Sequence, residues 1–418
     1  IIGFGSPNKS GKSSSHGAPL GEEEIKLVRK KLKWPYHQFD IPNEILKEWR
    51  QIGAKGEVLE KNWLNELNKS KPDIKENFNK LNNKIFRDGL NKLISSEKEK
   101  YFQDKPSMAT RQCSMKVIEA LNNFMPNLIG GSADLSGSNN TKTENSTVIN
   151  SKNFSGNYIH YGVREHGMAA AMNGLALYHN LIPYGGTFLI FSDYCKPAVR
   201  LSALMNLRVI YIFSHDSIGL GEDGPTHQPI EQLAGLRAIP NLNVFRPADI
   251  NETLECWEAS LNNEKGPSAI ILSRQKLNYI SKIPDKKNRV MLGAYEINIT
   301  SHNNKVTIVA SGSEVDLALS VQKQLSTLGI ESKVVSMPCQ ELFDNQNDEY
   351  KNKILETGNL IVSVEAGSVA CWKKYLKNED LAIGIDEFGK SAPYKEIYDS
   401  MGLSSDKIVS LIQKKLRN

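Results

Sequence analysis

Between positions 214 and 229 the chain reads SHDSIGLGEDGPTHQP, which sets two imidazoles, His215 and His227, and a carboxylate, Asp223, in a glycine-rich run. Two histidines can exchange protons near neutral pH, and a carboxylate beside them can orient a substrate hydroxyl. The glycines allow backbone to approach a bound small molecule closely. The same run contains GLGEDG, a match to G-x-G-x-x-G that follows RVIYIFS and has Asp249 downstream, so an NAD-binding dehydrogenase is the alternative. Glu222 and Asp223 count against it, because carboxylates next to a pyrophosphate repel it by an amount on the order of several kcal/mol when partly desolvated. A zinc site is another outlet for a His/Asp trio, but no H-x-x-x-H helix accompanies it. A second phosphate-loop lookalike, GSPNKSGKS, has five residues between Gly5 and Gly11 where the motif requires four, so a flexible polar loop is expected there.

The elements that must position these groups follow from periodicity. LGEEEIKLVRKKL is amphipathic, and Ile74, Phe78, Leu81 and Ile85 recur at helical spacing after a start signal at Pro72 and Asp73. From about residue 108 short β-branched or aromatic runs (NLIGG, NYIHYGV, LIPYGGTF, RVIYIFS, NVFRP, SAIILS) alternate with helical stretches such as REHGMAAAMNGLALYH, LIFSDYCKPAVRLSAL and NETLECWEASL. Residues 285–418 repeat the theme with VTIVAS, KVVSMP and NLIVSVE, and Ser311 with Glu314 suggests a capping box. The pattern predicts an α/β protein with two domains, each a mostly parallel sheet covered by helices on both faces, after a helical lead-in.

Bulk properties narrow the partners. The 418 residues are 39% apolar and 24% charged, with a net charge of +5, and basic and acidic residues interleave, which argues against nucleic acid. No apolar run approaches the roughly 20 residues of a membrane span, so no membrane partner is expected. Cys113, Cys195, Cys256, Cys339 and Cys371 lack C-x-x-C spacing, which disfavours a disulfide framework or thiolate metal site and points to a reducing, cytoplasmic setting.

In order along the chain, SSHGAPLGEEE, MATRQCSMKV, LIGGSADLSGSN, YGVREHGMAAAMNG, GGTFLIFSDY, AVRLSAL, SHDSIGLGEDGPTHQP, NVFRPAD and LSRQ resemble transketolase segments. The resemblance implies thiamine diphosphate as cofactor and transfer of a two-carbon ketol unit from a ketose phosphate to an aldose phosphate in the pentose phosphate pathway, with xylulose 5-phosphate, ribose 5-phosphate and erythrose 4-phosphate as substrates. Glu165 matches the glutamate that hydrogen-bonds N1′ of the aminopyrimidine, a job that favours a sheltered carboxyl. Phe188, Phe191 and Tyr194 match the pocket for that ring, with Phe191 as the stacking partner, and Asp134 lines the cofactor region. Arg111, Ser138, His215 and Arg274 match phosphate contacts; paired guanidinium donors suit phosphate oxygens. His16 and His227 match histidines that move protons at the reacting carbon oxygens, and Asp223 matches the residue that senses a substrate hydroxyl.

The resemblance also implies what lies elsewhere. The family holds the diphosphate and its Mg2+ or Ca2+ through a G-D-G motif with a later Asn, and neither stands in this sequence, so no metal ligand is assigned to it. The expected organisation is residues 1–74 as the tail of a diphosphate-binding α/β domain plus helical connector, 75–284 as a pyrimidine-binding domain and 285–418 as a C-terminal domain. The chain reads as a fragment, expected to be active only with the missing domain and as a homodimer with shared active sites; a non-catalytic subunit of a split enzyme is the other possibility. Glu365 and Asp386 are expected to be structural or interfacial.

Overall fold

A computed structural model describes residues 1–80, 84–178, 180–281, 287–297 and 304–417. Leu81 and the expected 284/285 boundary lie outside the described residues, as does the side chain of Ile85. The chain forms two compact units, Ile1–Asn79 and Lys80–Asn418.

In the first unit, helix α1 (Glu22–Lys31) carries Glu22, Glu23 and Glu24 in its first turn and Arg29, Lys30 and Lys31 in its last, matching both ends of its dipole. The long α2 (Asn43–Lys69) buries none of its residues, and α3 starts at Pro72 as the sequence signals (Pro72–Lys80). The GSPNKSGKS segment is not a loose loop. The Glu24 carboxylate accepts hydrogen bonds from the Ser6 hydroxyl and from the Asn8 backbone and side chain at 2.8 and 2.9 Å. Those donors hold its carboxyl at about 2. The loop therefore wraps an internal anion, and the local donors override the expectation of flexibility.

The second unit begins with α4 (Lys84–Asp104) and contains both expected sheets. The first has strands β1 (Leu128–Ser132), β2 (Tyr158–His160), β3 (Ile182–Phe188), β4 (Ile210–Ser214), β5 (Asn243–Phe245) and β6 (Ser268–Leu272), in the order β2-β1-β3-β4-β6-β5. Every pairing is parallel. The central strands β3, β4 and β6 are buried throughout, which explains their unbroken apolar runs. Helices α5 (Thr110–Phe124), α6 (Ser136–Asn139), α7 (Glu165–Leu177), α8 (Ser192–Leu204), α9 (Gln232–Arg237) and α10 (Ile250–Asn262) connect them. Helix α7 sits close on β3 because Gly185 has no side chain: a Cβ there would lie 2.3 Å from Met172 Sδ.

The second sheet comprises β7 (Tyr295–Glu296), β8 (Val306–Ala310), β9 (Ser332–Ser336), β10 (Leu360–Val364) and β11 (Leu381–Ile383), ordered β11-β10-β8-β9-β7, with only β7 antiparallel. Helix α11 (Glu314–Thr327) follows β8. The expected capping box is not formed. The Ser311 hydroxyl donates to Glu365, and Glu314 accepts from Arg246, so both side chains serve a buried charge network instead of the helix end.

That network joins the two sheets' domains. Arg246, just after β5, is fully buried; its Nη2 donates to Asp216 at 2.7 Å and its Nη1 to Glu314 and to the Ser311 carbonyl. Beside it Arg237 grips Glu365 through both Nη atoms at 2.7 and 2.9 Å, and Trp372 Nε1 adds a third donor at 2.7 Å. Burial pushes the Glu365 carboxyl up, but Arg237 outweighs it and holds the group at about 2. Asp386 accepts from Ser368 and from the Val369 amide within the C-terminal domain.

Candidate active site

Parallel sheets gather loop residues at the carboxyl ends of their strands. Asp134 and Ser138 follow β1, Glu165 follows β2, Phe191 and Tyr194 follow Phe188 at the end of β3, His215 follows β4 and Arg274 follows β6. Arg111 opens α5, and Thr110 ties it to the end of β6: the Thr110 amide donates to Ser273 Oγ at 3.0 Å and the Ser273 amide to Thr110 Oγ1 at 2.7 Å.

Glu165 is the first residue of α7, where the helix dipole favours a carboxylate. It is 9% exposed, yet among the described residues its carboxylate has no hydrogen-bond or ion-pair partner. Its oxygens are not among the sealed, unpartnered polar atoms of the described residues, so they are left to solvent or to a ligand that supplies a donor. Its charge reaches the first turn of α8: burial first, and then Glu165, push the Cys195 thiol up to about 12. Helix α7 is tied to α8, whose first turn carries Tyr194, by Asn173 Nδ2 donating to the Ala198 carbonyl at 3.0 Å and the Ser202 hydroxyl donating to Asn173 Oδ1 at 2.7 Å.

Those residues form a ladder. Phe188 and Phe191 stack with centroids 5.6 Å apart and planes 10° apart, and Phe191 and Tyr194 follow at 6.0 Å and 27°. Phe188 is buried, Phe191 half-buried and Tyr194 exposed, so the ladder runs from the core to an open ring face. His227 meets Phe191 edge-on at 5.7 Å, and the His215 ring stacks on Phe188 at 3.7 Å.

His215 has φ of 60°, a left-handed conformation uncommon for a non-glycine residue and often found where a side chain is aimed at a site. The Ser214 hydroxyl donates to Asn139 Oδ1 at 2.7 Å, so its oxygen receives the proton of His215 Nδ1 at 2.9 Å. Burial, then Arg111, Arg274 and His227, lower the His215 pKa to about 3. Burial and the Arg274 charge likewise lower Arg111. Arg111 Nη1 donates to the Ser138 carbonyl at 2.7 Å, while its buried Nε has no partner. Two guanidinium groups and two imidazoles stand close enough to repel one another, an arrangement suited to an anion.

Of the residues expected from the sequence, Phe188, Phe191 and Tyr194 form one group and Arg111, Arg274, Ser138, His215 and His227 the adjoining one, while Glu165 stands at the head of α7, which packs on α8. Ser138 takes part through its backbone carbonyl, with its hydroxyl not involved in that contact. Asp134, with φ of 62°, and Asp223 are exposed in the flanking loops. His16 is an exposed residue of the first unit, after a short turn at Ser13–Ser15. Among the described residues no cluster of three or more His, Cys, Asp or Glu is arranged to hold a metal ion.

GLGEDG does not form the strand–turn–helix of a dinucleotide loop: Ile218–Leu220 is one short 3-10 turn, Gly221 and Gly224 shape the next turn at φ of 88° and 77°, and the next α-helix along the chain begins only at Gln232, so these glycines do not open a helix. Sequence reasoning missed Asp216, Gln228 and Arg246. Arg246 links Asp216 to Ser311 and Glu314, and Gln228 links Gly221 to Lys390, so both bridge to residues far away in sequence, and only the buried Arg in NVFRP after an apolar strand could have hinted at one.

The sequence matches the descriptions "Transketolase, thiamine diphosphate binding domain" over residues 1–88, "Transketolase, pyrimidine binding domain" over 106–279 and "Transketolase-like TK C-terminal domain" over 293–404. It is 44% identical to a transketolase of Sinorhizobium medicae across 98% of this chain and 59% of that protein. Among solved structures, transketolase from Leishmania mexicana superposes with a TM-score of 0.87 at 38% identity, covering 99% of this chain and 60% of that one. A transketolase of Pichia stipitis in complex with sedoheptulose 7-phosphate gives 0.85 at 35%, covering 99% and 61%. The chain thus spans about three fifths of the length of the curated relatives it matches. With matches to three domains of one family, in that family's order, and a shared fold across nearly all its residues, this chain belongs to the transketolase family.

Proposed function

We propose that this chain supplies the pyrimidine-side half of a thiamine diphosphate-dependent ketol transferase. The observation that carries the reading is Glu165, a carboxylate without a protein partner at the head of α7, together with the graded stack of aromatic rings that leads into the neighbouring α8. The residues fit a flat heterocycle with a ring nitrogen: Phe191 offers a ring face and Glu165 a hydrogen-bonding carboxyl. When bound, thiamine diphosphate supplies a carbon nucleophile that carries the two-carbon unit. Glu165 holds a proton between its carboxyl and that ring nitrogen, and the Phe188–Tyr194 ladder orients the ring and excludes water.

Arg111 and Arg274 bind the phosphate of a ketose or aldose phosphate, and the free Arg111 Nε is one donor in place for it. His227 and His16 move protons at the substrate's carbonyl and hydroxyl oxygens, and Asp223 accepts from a substrate hydroxyl. Xylulose 5-phosphate is the proposed donor, with ribose 5-phosphate or erythrose 4-phosphate as acceptor, in the pentose phosphate pathway. Mg2+ or Ca2+ would accompany the diphosphate on residues other than those placed here.

The outer face of α7 exposes Ala170, Ala171, Gly174, Leu177 and Tyr178, and that of α8 exposes Tyr194, Leu201 and Leu204. These apolar residues, with the exposed His166, Asp193 and Arg200 among them, suit a second subunit that closes the site, hence a homodimer. The test joins this chain to the remaining part of a transketolase relative and adds thiamine diphosphate, Mg2+, xylulose 5-phosphate and ribose 5-phosphate. Sedoheptulose 7-phosphate should form; saturable NAD binding with no ketol transfer would overturn the reading.

A further inference from the structure

The segment from Gly221 to Gln228, which carries Asp223 and His227, is held from outside its own domain. Gln228 is 2% exposed. Its Nε2 donates to the Gly221 carbonyl at 3.0 Å, closing the segment on itself, and to the Lys390 carbonyl of the C-terminal domain at 2.9 Å. Two carbonyl acceptors settle which end of the amide carries the protons. The Ser391 hydroxyl donates to the Glu222 carbonyl at 2.5 Å. Between these contacts Gly389 is required by space: an added Cβ would lie 1.8 Å from Gln228 Oε1 and 2.7 Å from its Cδ.

The geometry of the turn transmits these ties. The His227 amide closes on the Gly224 carbonyl at 3.0 Å, which fixes where the imidazole leaves the chain before it reaches Phe191. Glu222 and Gln228, the two anchored residues, bracket Asp223 and His227. We propose that the Gly389–Ser391 segment of the C-terminal domain is the positioning element for His227 and Asp223, with Gln228 as the positioning residue that connects them. The inference rests on the reading above, in which His227 and Asp223 face the substrate.

The test uses three variants of the 418-residue chain, Gln228→Ala, Gly389→Ala and Ser391→Ala, followed by hydrogen exchange read by mass spectrometry. Peptides spanning 217–229 should exchange about tenfold faster in the first two and a few-fold faster in Ser391→Ala, which removes one bond without crowding, in line with one lost hydrogen bond of about 1 kcal/mol. Peptides from β8, β9 and β10 should keep the parent rate. The double variant Gln228→Ala/Gly389→Ala should exchange no faster than Gln228→Ala, because both act through one contact. Unchanged exchange at 217–229, or a rise spread through the C-terminal sheet, overturns the proposal.

In the completed enzyme the variants should raise KM for the ketose phosphate and shift the pH limits of turnover, while thiamine diphosphate affinity stays at the parent value. Parent-like KM and pH limits in an active enzyme also overturn it. If the completed parent is inactive, the ketol-transfer reading fails, and the exchange result alone still decides whether the C-terminal segment fixes this loop.

Discussion

Among the described residues Glu165 has no hydrogen-bond or ion-pair partner, and only the α7 dipole favours its charge. Replacing it by alanine should therefore move the denaturation midpoint by no more than a small surface-type effect, about 0.5 kcal/mol. The same change should lower turnover of the completed enzyme by about 10² to 10⁴, the usual contribution of a positioned proton-handling group. A large loss of stability would mean that the carboxylate has a structural role. His215 gives a second residue-scale prediction. Its pKa is depressed from 6.5 to about 3, so its contribution to stability is fully present above 6.5 and is lost as pH falls towards 3. The parent should therefore lose stability across that window more steeply than His215→Asn. Burial is the first cause of that depression, and an anion between Arg111 and Arg274 offsets the charge that adds to it, so added phosphate should move the parent's acid loss of stability to lower pH; no such shift would mean that the anion does not sit beside His215. The roles proposed for Glu165 and the aromatic residues come from the family resemblance of YGVREHGM and GGTFLIFSDY, since by themselves a helix-start glutamate and aromatics every three residues suit a dipole partner and a core face. Arg246 and Gln228 were not legible in the sequence, because nothing near them in sequence states what they pair with.

At the scale of elements, alternating apolar runs revealed both parallel sheets, and the strands fall where those runs lie. What misled were local motifs whose side chains had tertiary partners. Ser311 and Glu314 look like a cap but serve Arg246, and GLGEDG looks like a nucleotide loop but turns against the C-terminal domain. The Arg246 network joins two domains through buried charges, and removing its centre leaves Asp216 and Glu314 uncompensated. Arg246→Met should destabilise the chain by about 3–5 kcal/mol in denaturant titrations, with a smaller effect expected if the network were solvent-exposed. The exposed face of α7 yields a further expectation. Ala171→Arg should weaken self-association in sedimentation experiments without altering the circular dichroism spectrum, and an unchanged sedimentation profile would place the subunit contact elsewhere.

The whole molecule divides its labour between sheets and loops. The first sheet delivers groups to one end of its strands, and the C-terminal domain, which contributes no residue to the proposed chemistry, fastens the loops that carry them. The family resemblance was legible from segment order alone, whereas the closure of the N-terminal loop on Glu24 and the reach of the C-terminal domain depend on contacts between distant segments. The central claim is that Glu165 engages the ring nitrogen of thiamine diphosphate. Its most direct test is thiamine C2–H exchange with deuterium in the completed enzyme, followed by NMR, for the parent and Glu165→Gln. The account predicts fast exchange in the parent and exchange slowed by at least about 10² in the variant; equal rates in the two proteins would contradict it.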